Sequence, residues 1–143
     1  MPNIRPIAIC LFRHDGKILV FEGYDPRKDE TFYRPLGGGI EFGERSVDTI
    51  RRELREEIGA EVRNLVYLGT LENIFTFDGK PGHEIVQVYD GVLSESGLYK
   101  QAVILGHEVG VEEPFRAMWK SLDEFGPGES ILYPDGLLEM LSG

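Results

Sequence analysis

The sequence contains a single cysteine, Cys10, three scattered histidines and fewer basic than acidic side chains. One cysteine excludes an intramolecular disulfide framework and is compatible with a reducing compartment, so we expect a cytoplasmic location. Fifteen Lys and Arg residues against 25 Asp and Glu residues give a formal net charge of −10. That balance argues against sequence-independent binding of nucleic acid, which requires a basic surface. It leaves phosphorylated small molecules open as substrates, because a divalent metal can reverse the local sign of the charge.

Long hydrophobic runs are also missing. The longest apolar stretch near the start, residues 7–12, is too short for a signal-peptide core or a membrane span. We therefore expect neither export nor a membrane partner. The hydrophobic fraction of 41% is that of an ordinary globular protein, and residues 1–143 are enough for one domain with its own core.

The pattern of apolar residues predicts strands around one strongly amphipathic helix, hence an α+β fold class. Strands are predicted over residues 7–12, 17–21, 62–77, 84–93, 103–105 and 115–119, and short helices over 121–125 and 134–141. Residues 23–31 are polar and contain a proline, so we expect an exposed loop there. Residues 35–39 include three successive glycines, and we expect a loop that lets a ligand approach the backbone.

The helix is predicted from Ser46 to Ile58, with Ser46 as its N-cap and Gly59 as its C-cap. Apolar residues recur within it at helical spacing and form one stripe of about 80° that should face the core. These residues are Val47, Ile50, Leu54 and Ile58.

A second face of the same helix carries Glu53, Glu56 and Glu57, spaced as i, i+3 and i+4. The helix alone is most simply interpreted as a solvated face whose charges are offset by neighbouring arginines. However, clustered carboxylates without cysteine or histidine are hard oxygen ligands that suit Mg²⁺ or Mn²⁺. The glycine-rich segment, followed by Glu41 and Glu44, leads directly into this helix, which favours a metal site.

Residues 38–60 resemble the Nudix box, G-x5-E-x7-R-E-U-x-E-E-x-G-U, where U is a bulky aliphatic residue. All seven fixed positions are filled, by Gly38, Glu44, Arg52, Glu53, Glu56, Glu57 and Gly59. Two positions depart from the pattern. Ala60 is small for the last aliphatic position, and Leu36 stands where the family usually has proline, which puts the local loop shape in question.

The resemblance implies an α/β/α sandwich around a mixed β-sheet, with one main catalytic helix and a C-terminal helix. It also implies hydrolysis of a nucleoside diphosphate linked to another moiety, with Mg²⁺ or Mn²⁺ as cofactor. By position, Glu53, Glu56 and Glu57 would hold the metal and serve catalysis. A backbone carbonyl near Gly37 or Gly38 would add a ligand. The structural residues of the box would be Gly38, Glu44, Arg52 and Gly59.

Many members of this family recruit one more acid from a distant loop, as a metal ligand or general base. Our first candidate is Glu113, and the alternatives are Glu112, Glu108 and Glu84. The substrate would be a nucleoside triphosphate, a nucleotide sugar such as ADP-ribose, or a dinucleoside polyphosphate. The Ser-Gln-Pro-Trp-Pro-Phe-Pro run associated with NADH hydrolysis does not follow the box.

Three residues outside the box are candidate substrate contacts: Arg5, Arg34 and Phe75. Either arginine could reach a phosphate or be a surface charge, and Phe75 could stack on a base or belong to the core. Members of the family are often homodimers, so a homodimer stays an open alternative to a monomer. Two other functions also stay open: a non-catalytic nucleotide sensor on the same fold, and a structural domain with an incidental acidic helix.

Overall fold

The computed structural model describes residues 3–142. Its strands are β1 (Ile4–His14), β2 (Lys17–Asp25), β3 (Glu30–Gly39), β4 (Val62–Phe77), β5 (Lys80–Leu93), β6 (Val103–Gly106), β7 (Phe115–Ser121) and β8 (Ile131–Leu132). Its helices are α1 (Ser46–Ile58) and α2 (Leu137–Ser142), with short 3₁₀ turns at Ser96–Lys100 and Leu122–Glu124. The strands follow the order β4-β5-β1-β3-β2-β7-β6, and β8 pairs with β3.

The central strand, β1, explains why the sheet is mixed and covered on both sides. It runs parallel to β5 and antiparallel to β3. Its alternate side chains enter two different cores, one beneath α1 (Ala8, Cys10 and Phe12) and one beneath α2 (Ile7, Ile9 and Leu11). A strand buried on both faces needs an unbroken apolar run. The expected α+β fold with a mixed sheet between helices is confirmed.

Helix α1 has the predicted bounds, and Gly59 ends it in the left-handed conformation at φ 65°. The prediction that Ser46 is the N-cap is wrong, because Arg45 occupies that position without a side-chain cap. Ser46 is the first helical residue, and its Oγ lies 2.6 Å from the hydroxyl of Tyr89 on β5. Its hydroxyl therefore ties the helix to the sheet instead of capping it.

The glycine-rich segment is not a loop as expected, since residues 35–39 form the end of β3. Gly38 pairs with Ala8 and Leu36 pairs with Cys10 of β1. A Cβ at Gly37 would overlap the backbone of Ala8, so glycine is needed for this close strand pairing. Leu36 is fully buried in the core beneath α1. The position where the family usually has proline therefore belongs to a regular, paired strand in this protein.

Several other boundaries differ from the expectations. Strand pairing between β2 and β3 continues to Asp25 and Glu30, so the predicted loop over residues 23–31 shortens to 26–29. Helix α2 begins at Leu137 and ends at Ser142, later than the expected 134–141. Over residues 3–142, none of the helices has the length and apolar character needed to cross a bilayer.

Candidate functional site

The three helix carboxylates line one cavity of about 510 Å³, here called the carboxylate cavity. Glu53, Glu56 and Glu57 enter it from α1. The end of β3 contributes glycines 37–39, and the segment after β6 contributes His107, Glu108 and Val109. The spacing of the acids along α1 therefore brings them to a common cleft, as expected. Glu57, however, is buried rather than placed on the surface.

Glu57 is the most unusual side chain of this cavity. It is 5% exposed, and its Oε1 is sealed from solvent without a hydrogen-bond partner among residues 3–142. Burial, reinforced by the nearby charges of Glu53 and Glu108, raises its pKa to about 9. A buried carboxylate oxygen without a donor is costly, and a bound cation would offset that cost. The residues present therefore fit a divalent metal.

Glu53 and Glu56 point toward an arginine of their own helix. Arg52 Nη1 donates to Glu53 Oε1 at 2.9 Å and to Glu56 Oε2 at 3.4 Å. Burial is the main cause that raises the pKa of Glu53, and the Arg52 hydrogen bond opposes it. With the acids held in this way, no three acidic, histidine or cysteine side chains of residues 3–142 converge closely enough to enclose an ion.

Arg52 also joins α1 to the segment that precedes it. Its Nε and Nη2 form a bidentate pair with Glu44 at 2.8 and 3.0 Å, and Nη2 also donates to the Gly39 carbonyl at 2.9 Å. Thr49 Oγ1 adds a hydrogen bond to Glu44 at 2.7 Å. These contacts lower the pKa of Glu44 to about 2, with the Arg52 hydrogen bond as the largest cause. The charged network fixes the end of β3 against the helix.

At Gly38 the backbone of β3 lies directly against an acid of α1. A Cβ at this position would overlap the carboxylate of Glu53. The glycine therefore lets Glu53 lie directly against the strand. Glycines 37–39 bring the main chain of β3 to the wall of the carboxylate cavity.

Comparison with known proteins agrees with this geometry. A family model of the NUDIX domain matches residues 2–134. The chain belongs to the Nudix domain family. A NUDIX hydrolase from Nitrosomonas europaea superposes with a TM-score of 0.67 over 98% of this chain and 87% of that chain. At 17% sequence identity, that likeness shows a shared fold.

Curated relatives of this Nudix domain are longer proteins. NAD-capped RNA hydrolase NudC of Pseudomonas aeruginosa is 30% identical over 126 residues, which are 88% of this chain and 39% of that protein. NudC of Vibrio atlanticus is 36% identical over 69 residues, which are 48% of this chain and 25% of that protein. The chain thus spans well under half the length of these relatives.

The acids that were considered as additions to the box lie in different places in the structure. Glu108 lines the carboxylate cavity, whereas Glu113 is exposed in the following loop and lines none of the three cavities described in this section. The backbone N–H of His107 donates to the carbonyl of Glu57 at 2.8 Å. This hydrogen bond anchors the segment after β6 to the end of α1, and so places Glu108 beside the helix acids.

A second cavity, of about 290 Å³ and here called the aromatic cavity, contains the other predicted contacts. Arg34 and Phe75 both line it, and their roles as substrate contacts stay a prediction. A third cavity, of about 100 Å³, shares Arg34 and Glu84 with the aromatic cavity and Glu108 with the carboxylate cavity. Arg5 lines all three cavities.

Sequence reasoning missed most of the aromatic cavity. Phe32, Asn73 and Tyr133 line it, and Glu84 was considered only as an acid for the metal site. The four residues lie on separate strands or on the segment after β8, with no common spacing. Only one of these contacts could have been predicted from the sequence. A two-residue turn at residues 78–79 sets the register of the β4–β5 hairpin, and that register pairs Asn73 with Glu84.

Proposed function

We propose that this Nudix domain hydrolyses the pyrophosphate linkage of a nucleoside diphosphate joined to another moiety. Glu53, Glu56 and Glu57, with a backbone carbonyl near Gly38, would hold Mg²⁺ or Mn²⁺. The observation that carries this proposal is the sealed, unpartnered oxygen of Glu57 in a cavity shared with four other carboxylates. Such a cluster repels itself unless a proton or a metal cation is bound.

A bound divalent ion neutralises phosphate oxygens and lowers the pKa of a coordinated water, which makes that water a better nucleophile. The protein has to keep its ligands in place while charge moves through the reaction. Arg52 does so by binding Glu44, Glu53 and the Gly39 carbonyl at once. We assign the general base to Glu108 in place of Glu113, because Glu108 lies in the same cavity as the helix acids.

Arg5 gives the site a second cation besides Arg52 of α1. It lines both cavities, so a phosphate beside its guanidinium would lie between the carboxylate cavity and the aromatic cavity. The diphosphate would then lie along glycines 37–39, and the rest of the nucleotide would extend towards Phe75. This placement explains how a chain of net charge −10 could bind an anionic substrate.

The experiment that tests the function is incubation of the protein with a mixed panel of substrates, followed by identification of products by mass. The panel contains nucleoside triphosphates, ADP-ribose, dinucleoside polyphosphates and NADH, the last because the curated relatives are named NAD-capped RNA hydrolases. We expect nucleoside monophosphate, or pyrophosphate from a triphosphate, only when Mg²⁺ or Mn²⁺ is present. Absence of metal-dependent turnover across the panel would contradict the proposal. Tight calorimetric binding of an uncleaved nucleotide would instead support a sensor.

A further inference from the structure

The aromatic cavity has two flat walls that depend on glycines in the neighbouring strands. Phe32 lies opposite Gly23, and Phe75 lies opposite Gly82. A Cβ at either glycine would overlap the ring across from it, so both rings lie directly over the backbone of the paired strand. Such rings offer their faces to a planar ligand, and the cavity of about 290 Å³ suits one ring system.

One of the charged groups that line this cavity is the carboxylate of Glu84, which is 4% exposed. Its Oε1 accepts from Asn73 Nδ2 at 3.1 Å and from Arg34 Nη2 at 3.3 Å. Asn73 is itself fixed, because its Oδ1 accepts from the backbone N–H of Asp135 at 3.2 Å. Among residues 3–142, Oε2 of Glu84 receives no hydrogen bond and is not sealed from solvent. The carboxylate is therefore held in one orientation with an acceptor left for a ligand.

We propose that Glu84 selects the base of the nucleotide, favouring a ring with two adjacent N–H donors, as guanine has, over one with an acceptor there, as adenine has. This inference rests on the proposed function for the direction in which the nucleotide lies. A carboxylate accepts hydrogen bonds and donates none, so the free Oε2 of Glu84, with its two lone pairs, can accept from both the N1–H and the exocyclic amine of guanine. The ring nitrogen lone pair of adenine would face the same carboxylate and be repelled.

The aromatic cavity has charges of both signs, whereas its free acceptor belongs to Glu84. The Glu84 carboxylate is paired with Arg34 Nη2 at 3.3 Å, and other charged residues line the cavity: Asp25, Lys28 and Glu30. Arg5 lines both this cavity and the carboxylate cavity. A phosphate beside Arg5 would therefore lie towards the carboxylate cavity, and the base would lie by the two phenylalanine rings, next to the free oxygen of Glu84.

The first test uses the unaltered protein with Mg²⁺ and compares kcat/KM for GTP, ITP and ATP. Inosine keeps the N1–H of guanine and lacks its exocyclic amine. We expect GTP to exceed ATP by at least about 100-fold, with ITP between them, because an unpaired buried acceptor is strongly disfavoured. Equal values for GTP and ATP would overturn the inference, and so would equal values for GTP and ITP.

The second test is Glu84→Gln, whose amide can keep its oxygen on Asn73 and Arg34 while presenting N–H donors to the ligand. The ratio of GTP to ATP should fall by at least about tenfold, through a loss for GTP that ATP does not share. Glu72→Gln is the matched control, because Glu72 is exposed on the same hairpin and lines none of the cavities described above. An equal loss for both nucleotides would contradict the assignment. If Glu84→Gln does not fold, the comparison of GTP with ITP decides.

A binding measurement separates this inference from the proposed function. Calorimetric titration of the protein with GMP and AMP needs no turnover. GMP should bind at least about fivefold more tightly, a preference that Glu84→Gln removes and Glu72→Gln keeps. If no nucleotide is hydrolysed but GMP is preferred, the proposed reaction fails and the base selection stands. Equal or undetectable binding of GMP and AMP overturns the base selection, whatever the activity.

Discussion

The carboxylate cavity and the aromatic cavity meet at Arg5, yet the chain builds them in different ways. Most of the carboxylate cavity comes from one continuous segment, residues 37–57, with additions from β1 (Arg5) and from the chain after β6. The aromatic cavity takes its residues from five strands, β1 to β5, from the loop between β2 and β3, and from the chain after β8. We infer that the first cavity performs the reaction and the second selects the substrate. Changes in the first should therefore lower kcat, and changes in the second should raise KM.

The largest effect is expected for Glu57→Gln. The neutral amide removes the charge of the buried ligand, so metal-dependent kcat should fall by about 10³-fold while the fold is kept. Steady-state kinetics on the substrate that the panel identifies would measure the loss. Glu129→Gln, an exposed position, is the matched control and should leave kcat unchanged. A Glu57→Gln enzyme with the kcat of the unaltered protein would contradict the assignment.

The same residue should make the metal-free protein sensitive to pH. Folding raises the pKa of Glu57 from an ordinary 4.5 to about 9, so its protonated form stabilises the fold below pH 4.5. That stabilisation is lost as pH rises towards 9, on the order of a few kcal/mol. Denaturant unfolding in EDTA should show Glu57→Gln gaining stability over the unaltered protein as pH rises. The difference in unfolding free energy between the two proteins should therefore change with pH. If it stayed constant between about pH 5 and about pH 9, to within the experimental error, burial would not hold the proton on Glu57.

Arg52→Lys should reduce stability by about 2 kcal/mol, because a lysine cannot reproduce the bidentate pair with Glu44 and the bond to the Gly39 carbonyl. Chemical denaturation measures the change. Arg55→Lys is the control, since Arg55 forms an equally bidentate but exposed pair with Glu61. That variant should lose clearly less stability, because an exposed pair is screened by solvent. Equal losses for the two variants would show that Arg52 has no special structural role.

The smallest effect separates the two cavities most clearly. Phe75→Leu removes one flat wall of the aromatic cavity, so KM should rise by about tenfold with kcat nearly unchanged. Ile74→Ala changes the adjacent, exposed residue of β4 and should alter neither constant. A fall in kcat without a rise in KM for Phe75→Leu would reverse the roles assigned to the cavities.

The contrast between the cavities also explains what the sequence could reveal. Helical spacing alone places Glu53, Glu56 and Glu57 together, and the burial of α1 against the sheet follows from its apolar stripe. The apolar run of β1 and the helix end at Gly59 could also be predicted from neighbouring residues in the sequence. These features depend on residues within a few positions of one another.

Features that depend on contacts between distant strands could not be predicted from the sequence. The sequence does not show which of the four acidic candidates reaches the helix, because the choice depends on the hydrogen bond from His107 to Glu57. Glycines 37–39 look like a loop until the pairing with β1 is known. Likewise Ser46 has a cap residue's side chain, and only Tyr89 on β5 shows why it does not cap the helix.

The central claim is that the acids of α1 bind a divalent cation, and titration of the protein with Mn²⁺ followed by electron paramagnetic resonance tests it most directly. The measurement needs neither substrate nor turnover. The account predicts saturable Mn²⁺ binding that weakens at least about tenfold in Glu57→Gln and is unchanged in Glu129→Gln. Equal Mn²⁺ affinity in the unaltered protein and Glu57→Gln would contradict it.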